Sequence, residues 1–251
     1  MGAKKVNVEQ IEMEKRPQLA PLPLIPDNSP LRTHCYLCGQ LKDHLEIEHV
    51  IPRVLFKGSD PGEYVKLWSC TECNRAKGLD DEFVVRHLQA TSVTAVARAG
   101  FQNALRGFRR DGRGKGLGYD ILSRMEQVEI QTDGGLLLGR AMAIKIEDQQ
   151  ERFDSFFTNI AKGLFVRTSL ALHDWTDYEP TVMYEHALHS QRLFRDPMLG
   201  GIRGLTRHRG YWGETFAYFT DAFDSVSVSF MYFYSAYVAV VFLNPLEKTN
   251  H

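Results

Sequence analysis

The segment from Cys35 to Lys77 decides how this chain folds; it reads Cys35-Tyr-Leu-Cys38, then Glu48-His49-Val-Ile-Pro52-Arg53, then Cys70-Thr-Glu-Cys73-Asn74-Arg75-Ala-Lys77. All four cysteines of the chain lie here, in two Cys-x-x-Cys pairs separated by about 31 residues. Each pair forms a tight turn that presents two thiolates on one side, and two such turns complete a tetrahedron around Zn²⁺. The spacing therefore predicts a structural zinc site; the alternatives are chance and two redox motifs.

Three side chains near the cysteines suit the hydrolysis of a phosphodiester. His49 can take a proton from water at neutral pH, because its ordinary pKa is about 6.5. Glu48 and Asn74 offer oxygen ligands of the kind that Mg²⁺ prefers. Because neighbouring residues of a regular strand point to opposite faces, Glu48 and His49 converge only if the strand bends, and Pro52 favours such a bend.

These residues together resemble the HNH (His-Me finger) endonucleases, in the zinc-stapled form of the phage endonuclease VII type. In that family an acidic residue and a His close a β-hairpin, and Cys-x-x-Cys followed by Asn or His opens the next helix. The resemblance covers roughly 45 of the 251 residues. It implies a treble-clef-like ββα-metal unit with His49 as general base and Glu48 and Asn74 as ligands of a catalytic Mg²⁺ or Mn²⁺. Structural Zn²⁺ would be held by Cys35, Cys38, Cys70 and Cys73.

Several basic residues are candidates for binding nucleic acid through its phosphates. Arg53, Arg75 and Lys77 flank the central motif and could clamp phosphates, or they could form an ordinary solvated surface. The densest basic stretch of the chain follows a predicted helix and contains Arg106, Arg109 and Arg110. It could contact a nucleic-acid backbone, or it could be a helix end where cations are favoured.

The composition is that of an ordinary globular protein, with 43% hydrophobic and 24% charged residues and a net charge of −1. Any phosphate-binding surface must therefore be local. Cysteines confined to metal spacing favour a reducing compartment, so we expect a cytoplasmic protein. Residues 226–243 carry no charge over 18 positions, which is near the length of a membrane helix. Their serines alternate with apolar residues, which favours buried strands and no membrane partner.

The rest of the pattern predicts an α+β protein with three regions. Five prolines mark residues 1–31 as an extended tail; residues 32–118 form the predicted nuclease unit with flanking helices; and residues 119–251 form a C-terminal domain with antiparallel strands. Within the nuclease unit, strands are predicted over 45–50 and 65–68 and helices from 73, from Asp80-Asp81 and over 92–109. In the C-terminal domain, strands are predicted over 128–131, 136–146, 215–219 and 226–242, with a helix over 148–170.

These observations lead to one leading hypothesis and two alternatives. The leading hypothesis is a divalent-metal-dependent endonuclease that cuts nucleic acid, with DNA as the favoured substrate. One alternative is a zinc-binding module that binds nucleic acid or protein without catalysis. The other is a nuclease silent until a partner binds, within a toxin, phage-defence or multi-subunit effector. A homodimer or a partner in an effector complex is compatible with the sequence, which does not fix the oligomeric state.

Overall fold

A computed structural model describes residues 25–56, 64–92, 94–110, 112–131, 134–145, 147–186, 193, 196–223 and 226–246. The chain mixes helices with antiparallel strands, as predicted. The predicted tail lies outside the described residues except for 25–31, which lead into a 3₁₀ turn over Pro30–Arg32.

The cysteine-containing segment forms a two-stranded hairpin followed at once by a helix. Strand β1 (Glu46–His49) pairs antiparallel with strand β2 (Lys66–Ser69). In this register His49 is paired with Lys66, and Ile47 is paired with Trp68. Helix α1 (Thr71–Thr91) begins directly after β2. The predicted helix start at Asp80-Asp81 is wrong, because α1 runs through these residues without a break.

Two helices and a second hairpin follow. Helix α2 spans Ala95–Arg110 and helix α3 spans Gly112–Ser123. Strands β3 (Met125–Gln131) and β4 (Leu137–Ile144) pair antiparallel. The predicted boundary between residues 118 and 119 falls inside α3.

A long amphipathic helix and a five-stranded sheet complete the fold. Helix α4 (Gln150–Ser169) buries the apolar face that its sequence predicts. The remaining elements are β5 (Tyr178–His186), helix α5 (Pro197–Leu205), β6 (His208–Trp212), β7 (Phe216–Phe223), β8 (Val226–Phe233) and β9 (Tyr237–Pro245). Their strands form an antiparallel sheet in the order β5-β9-β8-β7-β6. The uncharged stretch 226–243 is therefore a pair of buried strands. Every helix in the described part of the chain is too short or too polar to cross a membrane.

One hydrophobic core joins the segments before and after residue 118. Its buried members include Val50 and Val84 from the hairpin–helix segment, Phe157 from α4, and Phe233 and Val241 from the sheet. A smaller cluster lies where Leu199 of α5 packs against the sheet. Residues 32–118 and 119–251 therefore share one core, so the hairpin–helix unit is supported by α4 and the sheet.

Candidate metal centre and hairpin site

The four cysteine thiols form a cluster between the two turns. Their Sγ atoms all lie within 4.8 Å of one another, and all four thiols are free of disulfides. Four sulfurs around Zn²⁺, each at about 2.3 Å, are separated by about 3.8 Å, so the cluster can hold a structural metal ion such as zinc. Burial first, then a hydrogen bond to Cys70 and the neighbouring thiols, raise the pKa of Cys73. A cation among them is therefore what would favour four thiolates.

The cluster connects two separate parts of the fold, a turn before β1 and the start of α1. Cys35 and Cys38 belong to a turn in which Gly39, at φ +72°, donates its N–H to the carbonyl of Cys35 at 2.8 Å. Cys70 is the N-cap residue of α1, and Cys73 lies in its first turn. The turn that contains Cys35 and Cys38 is also bonded to β2, because the N–H of Tyr36 donates to the carbonyl of Trp68 at 2.9 Å.

Residues from the C-terminal segment also contact this centre. The indole N–H of Trp175 donates to the carbonyl of Tyr36 at 2.7 Å, between Cys35 and Cys38. The ammonium of Lys162, on α4, lies 5.0 Å from the centre of the Trp175 ring. The thiol cluster is therefore built into the common core of the chain.

Glu48 lies on the face of β1 that packs against α1. Its carboxylate accepts a hydrogen bond from Lys77 Nζ at 3.0 Å. Lys77 also donates to the carbonyl of His49 at 3.2 Å and to Asp81 Oδ2 at 2.5 Å. These three bonds use all three ammonium hydrogens of Lys77. This side chain is 1% exposed, so in this structure Lys77 is a buried partner of carboxylates, and its contact with nucleic acid stays a prediction.

Asn74 lies one turn before Lys77 on α1, but its hydrogen-bond partner is Glu46. The amide Nδ2 donates to Glu46 Oε2 at 2.9 Å, and the hydroxyl of Thr71 donates to Glu46 Oε1 at 3.2 Å. Glu46 and Glu48 share one face of the strand, and Asn74 and Lys77 share one face of the helix. The predicted oxygen ligands Glu48 and Asn74 therefore lie in the same β1–α1 interface without contacting each other.

His49 lies on the opposite face of β1. Its ring meets the ring of Tyr64 edge to face, with centroids 4.7 Å apart. Burial lowers the pKa of His49, Glu48 opposes this, and the positive charges of Lys66, Arg53 and Lys77 lower it further. Strand alternation places Glu48 and His49 on opposite faces of β1, yet the charge of Glu48 acts on the His49 ring more strongly than any other charge.

The other predicted phosphate contacts lie on exposed surfaces. Arg53 begins the 3₁₀ turn after β1 and Arg75 lies on α1; both are exposed. Arg106 is exposed on α2 and donates to Asn103 Oδ1 at 3.3 Å. Arg109 and Arg110 lie in the last turn of α2, and their side chains are outside the described part of the structure.

Sequence reasoning did not select Glu46, Asp81 or Lys66 as site residues. A signal was present for two of them. Glu46 lies two residues before Glu48, so it shares the same face of a strand. Asp81 lies four residues after Lys77, the spacing at which helical side chains of opposite charge meet. To place Lys66 beside His49, one needs the register of β1 against β2, which the sequence alone does not provide.

Comparison of the chain with models of protein families, with curated proteins and with solved structures finds no match.

Proposed function

We propose that this chain is a metal-dependent endonuclease of the HNH type, which hydrolyses phosphodiester bonds in nucleic acid, with DNA as the favoured substrate. The observation that carries the proposal is the cluster of four cysteine thiols, with Sγ atoms within 4.8 Å of one another. This cluster joins the turn before β1 to the first turn of α1. It therefore supports a hairpin–helix unit with Glu48 and His49 at the end of β1 and Asn74 at the start of α1.

His49 is the general base of the proposed reaction. Because its pKa is lowered, mainly by burial, the imidazole is neutral at pH 7 and can take a proton from an attacking water. The edge of Tyr64, 4.7 Å away between centroids, limits the orientations of the ring. The exposed cations of Lys66 and Arg53 near this ring favour the approach of a phosphate.

Glu48 and Asn74 are the residues that would hold the catalytic Mg²⁺ or Mn²⁺. When bound, such an ion stabilises negative charge on the phosphate and on the leaving oxygen. In an in-line displacement, the attacking and leaving oxygens lie on opposite sides of the phosphorus. The proposal therefore places the phosphate beyond the end of β1, where His49 is the last strand residue, with Glu48 and Asn74 on the side of the leaving oxygen.

Plasmid cleavage tests this proposal. We expect the zinc-loaded chain to nick or linearise supercoiled plasmid with Mg²⁺ or Mn²⁺, and we expect His49→Ala to reduce the rate by about 10²–10⁴-fold. His44→Ala is the matched control, because His44 is an exposed histidine of the same segment. Undiminished cleavage by His49→Ala, at unchanged zinc content, would refute the proposal.

One observation favours a second candidate, a zinc-binding module that binds nucleic acid without cutting it. Lys77 already neutralises Glu48 at 3.0 Å, so this carboxylate has a permanent cationic partner within the chain. The two candidates differ in one result. The module retards plasmid in a gel and leaves it uncut at every Mg²⁺ or Mn²⁺ concentration, whereas the endonuclease cuts it.

A further inference from the structure

The β1–β2 hairpin has an outer face whose side chains differ in character from those of its inner face. Glu46 and Glu48 point inward to α1, so alternation places Ile47 and His49 on the outer face. The ladder pairs Ile47 with Trp68 and His49 with Lys66, and paired residues lie on the same face of a sheet. The outer face therefore carries an apolar pair beside a basic pair.

The side chains of this face are open to solvent to different degrees. Ile47 is 62% exposed. Lys66 is exposed, whereas His49 and Trp68 are half-buried. The guanidinium of Arg32 lies over Trp68, 5.0 Å from the ring centre.

The charge of this face is positive. Glu48 is the strongest charge that acts on His49, and it raises the pKa of this ring. Lys66, Arg53 and Lys77 lower it, so three cations stand against one carboxylate around the ring. Arg32 adds a further cation, and its partner is the exposed carboxylate of Asp27 at 2.9 Å. The nearest strand carboxylates, Glu46 and Glu48, are bonded to α1 on the other face. A chain with a net charge of −1 thus has local basic character at the hairpin.

We propose that the outer face of the β1–β2 hairpin binds an unpaired nucleic-acid strand, with Lys66 and Arg53 on its phosphates and Ile47 and Trp68 against a base. This inference rests on the proposed function, and it adds the binding surface and the form of the substrate. The apolar pair and the basic pair lie two residues apart along the strands, which is about 7 Å. That distance lets one nucleotide reach the basic pair with its phosphate and the apolar pair with its base.

The apolar pair is the reason to choose an unpaired strand over a duplex. Bases in a duplex are stacked on one another, so their faces are hidden from a protein surface. An unpaired base can lie against an aromatic or aliphatic side chain, and such contact tolerates any base. Two strands of one hairpin form a narrow surface that suits a single strand.

Binding can be measured without cleavage. The probes are a fluorescein-labelled DNA oligonucleotide of about 20 nucleotides and the duplex of the same sequence, with zinc-loaded full chain and no Mg²⁺ or Mn²⁺. We expect the unpaired probe to bind more tightly than the duplex. Ile47→Asn should weaken binding of the unpaired probe about fivefold or more, because an apolar contact is lost, and leave duplex binding unchanged.

The basic pair is tested by salt dependence. Lys66→Ala should weaken binding of the unpaired probe about threefold to tenfold at low salt, and should reduce the slope of log K against log salt by about 0.7. Arg209→Ala is the control, because it removes one charge from an exposed residue of β6, a strand of the five-stranded sheet. Zinc content and circular dichroism check that each variant is folded.

Equal affinity for both probes, or equal effects of Lys66→Ala and Arg209→Ala, would overturn this inference. Its failure is distinguishable from failure of the proposed function. If wild type and Lys66→Ala cut equally well with Mn²⁺ and bind the probe equally, the nuclease stands and this surface is wrong. If the unpaired probe binds through Lys66 and Ile47 but wild type never cuts, the surface stands and the nuclease is wrong.

Discussion

Gly163 of α4 lies directly against Val50, the residue that follows His49. A Cβ built at position 163 would come within 2.7 Å of Val50 Cγ2 and 3.1 Å of Tyr36 Cε2. Val50 and Tyr36 are both almost fully buried. The absence of a side chain at Gly163 therefore lets α4 approach both the end of β1 and the turn that contains Cys35 and Cys38.

Substitution of Gly163 by Ala should destabilise the protein in spite of the better helix propensity of Ala. The close contacts should cost about 1–3 kcal/mol, and propensity should return less than about 1 kcal/mol. Gly107→Ala in α2 is the control, since a Cβ there meets nothing within 4 Å and should stabilise the protein. Urea unfolding measures both variants. A gain in stability from Gly163→Ala equal to that of Gly107→Ala would contradict the close packing.

Replacement of Cys70 by Ser should release the metal ion and unfold the hairpin–helix unit. Cys70 is 3% exposed and lies in the cluster with Cys35, Cys38 and Cys73. Because ligand binding is part of the folding free energy of such a site, loss of one thiolate removes much of the stability. Elemental analysis should find about one zinc per wild-type chain and almost none in the variant. Thr71→Ala, one residue away, should keep its zinc; equal zinc in Cys70→Ser would rule out the site.

The thiol cluster is the part of the fold that the sequence predicted most directly. Two Cys-x-x-Cys pairs require their turns to meet, whatever the rest of the chain does. The predicted helix start at Asp80-Asp81 was wrong, because these two acids lie in the middle of α1 and form ion pairs there. Asp81 pairs with Lys77 at 2.5 Å, and Asp80 pairs with Arg152 at 2.8 Å. Local propensity does not reveal these partners.

The side-chain pairing at the candidate site depends on tertiary packing. Asn74 bonds Glu46 and Lys77 bonds Glu48, so these pairs depend on how β1 packs along α1. Sequence spacing placed Glu48, His49 and Asn74 in one region. Sequence spacing could not indicate that Lys77 is buried, because most lysines are exposed on the protein surface.

Tyr234 should be a stabilising link between the sheet and the hairpin–helix unit. Its hydroxyl accepts from Gln89 Nε2 at 2.8 Å and donates to the carbonyl of Leu55 at 3.2 Å. Tyr234→Phe leaves both groups buried without this partner, so the free energy of unfolding should fall by about 1–3 kcal/mol. Tyr119→Phe, at a tyrosine that is 77% exposed, should change it little. Equal unfolding midpoints for the two variants in urea would show that the link contributes nothing.

Asp81 should make stability depend on pH in the direction opposite to that of an ordinary salt-bridged carboxylate. Burial raises the pKa of Asp81 from 3.8 to about 6, although Lys77 acts to lower it. Because the folded pKa exceeds the unfolded one, the folded state binds the proton more tightly. The stabilising contribution is complete below about pH 4 and is lost as the pH rises through about 6. Asp81→Asn cannot titrate, so the stability of wild type relative to this variant should fall by on the order of 2 kcal/mol between pH 4 and pH 7. Urea unfolding of both proteins across this range measures the difference. A difference that stays constant, or that grows with pH, would mean that the attraction of Lys77 outweighs burial at this carboxyl group.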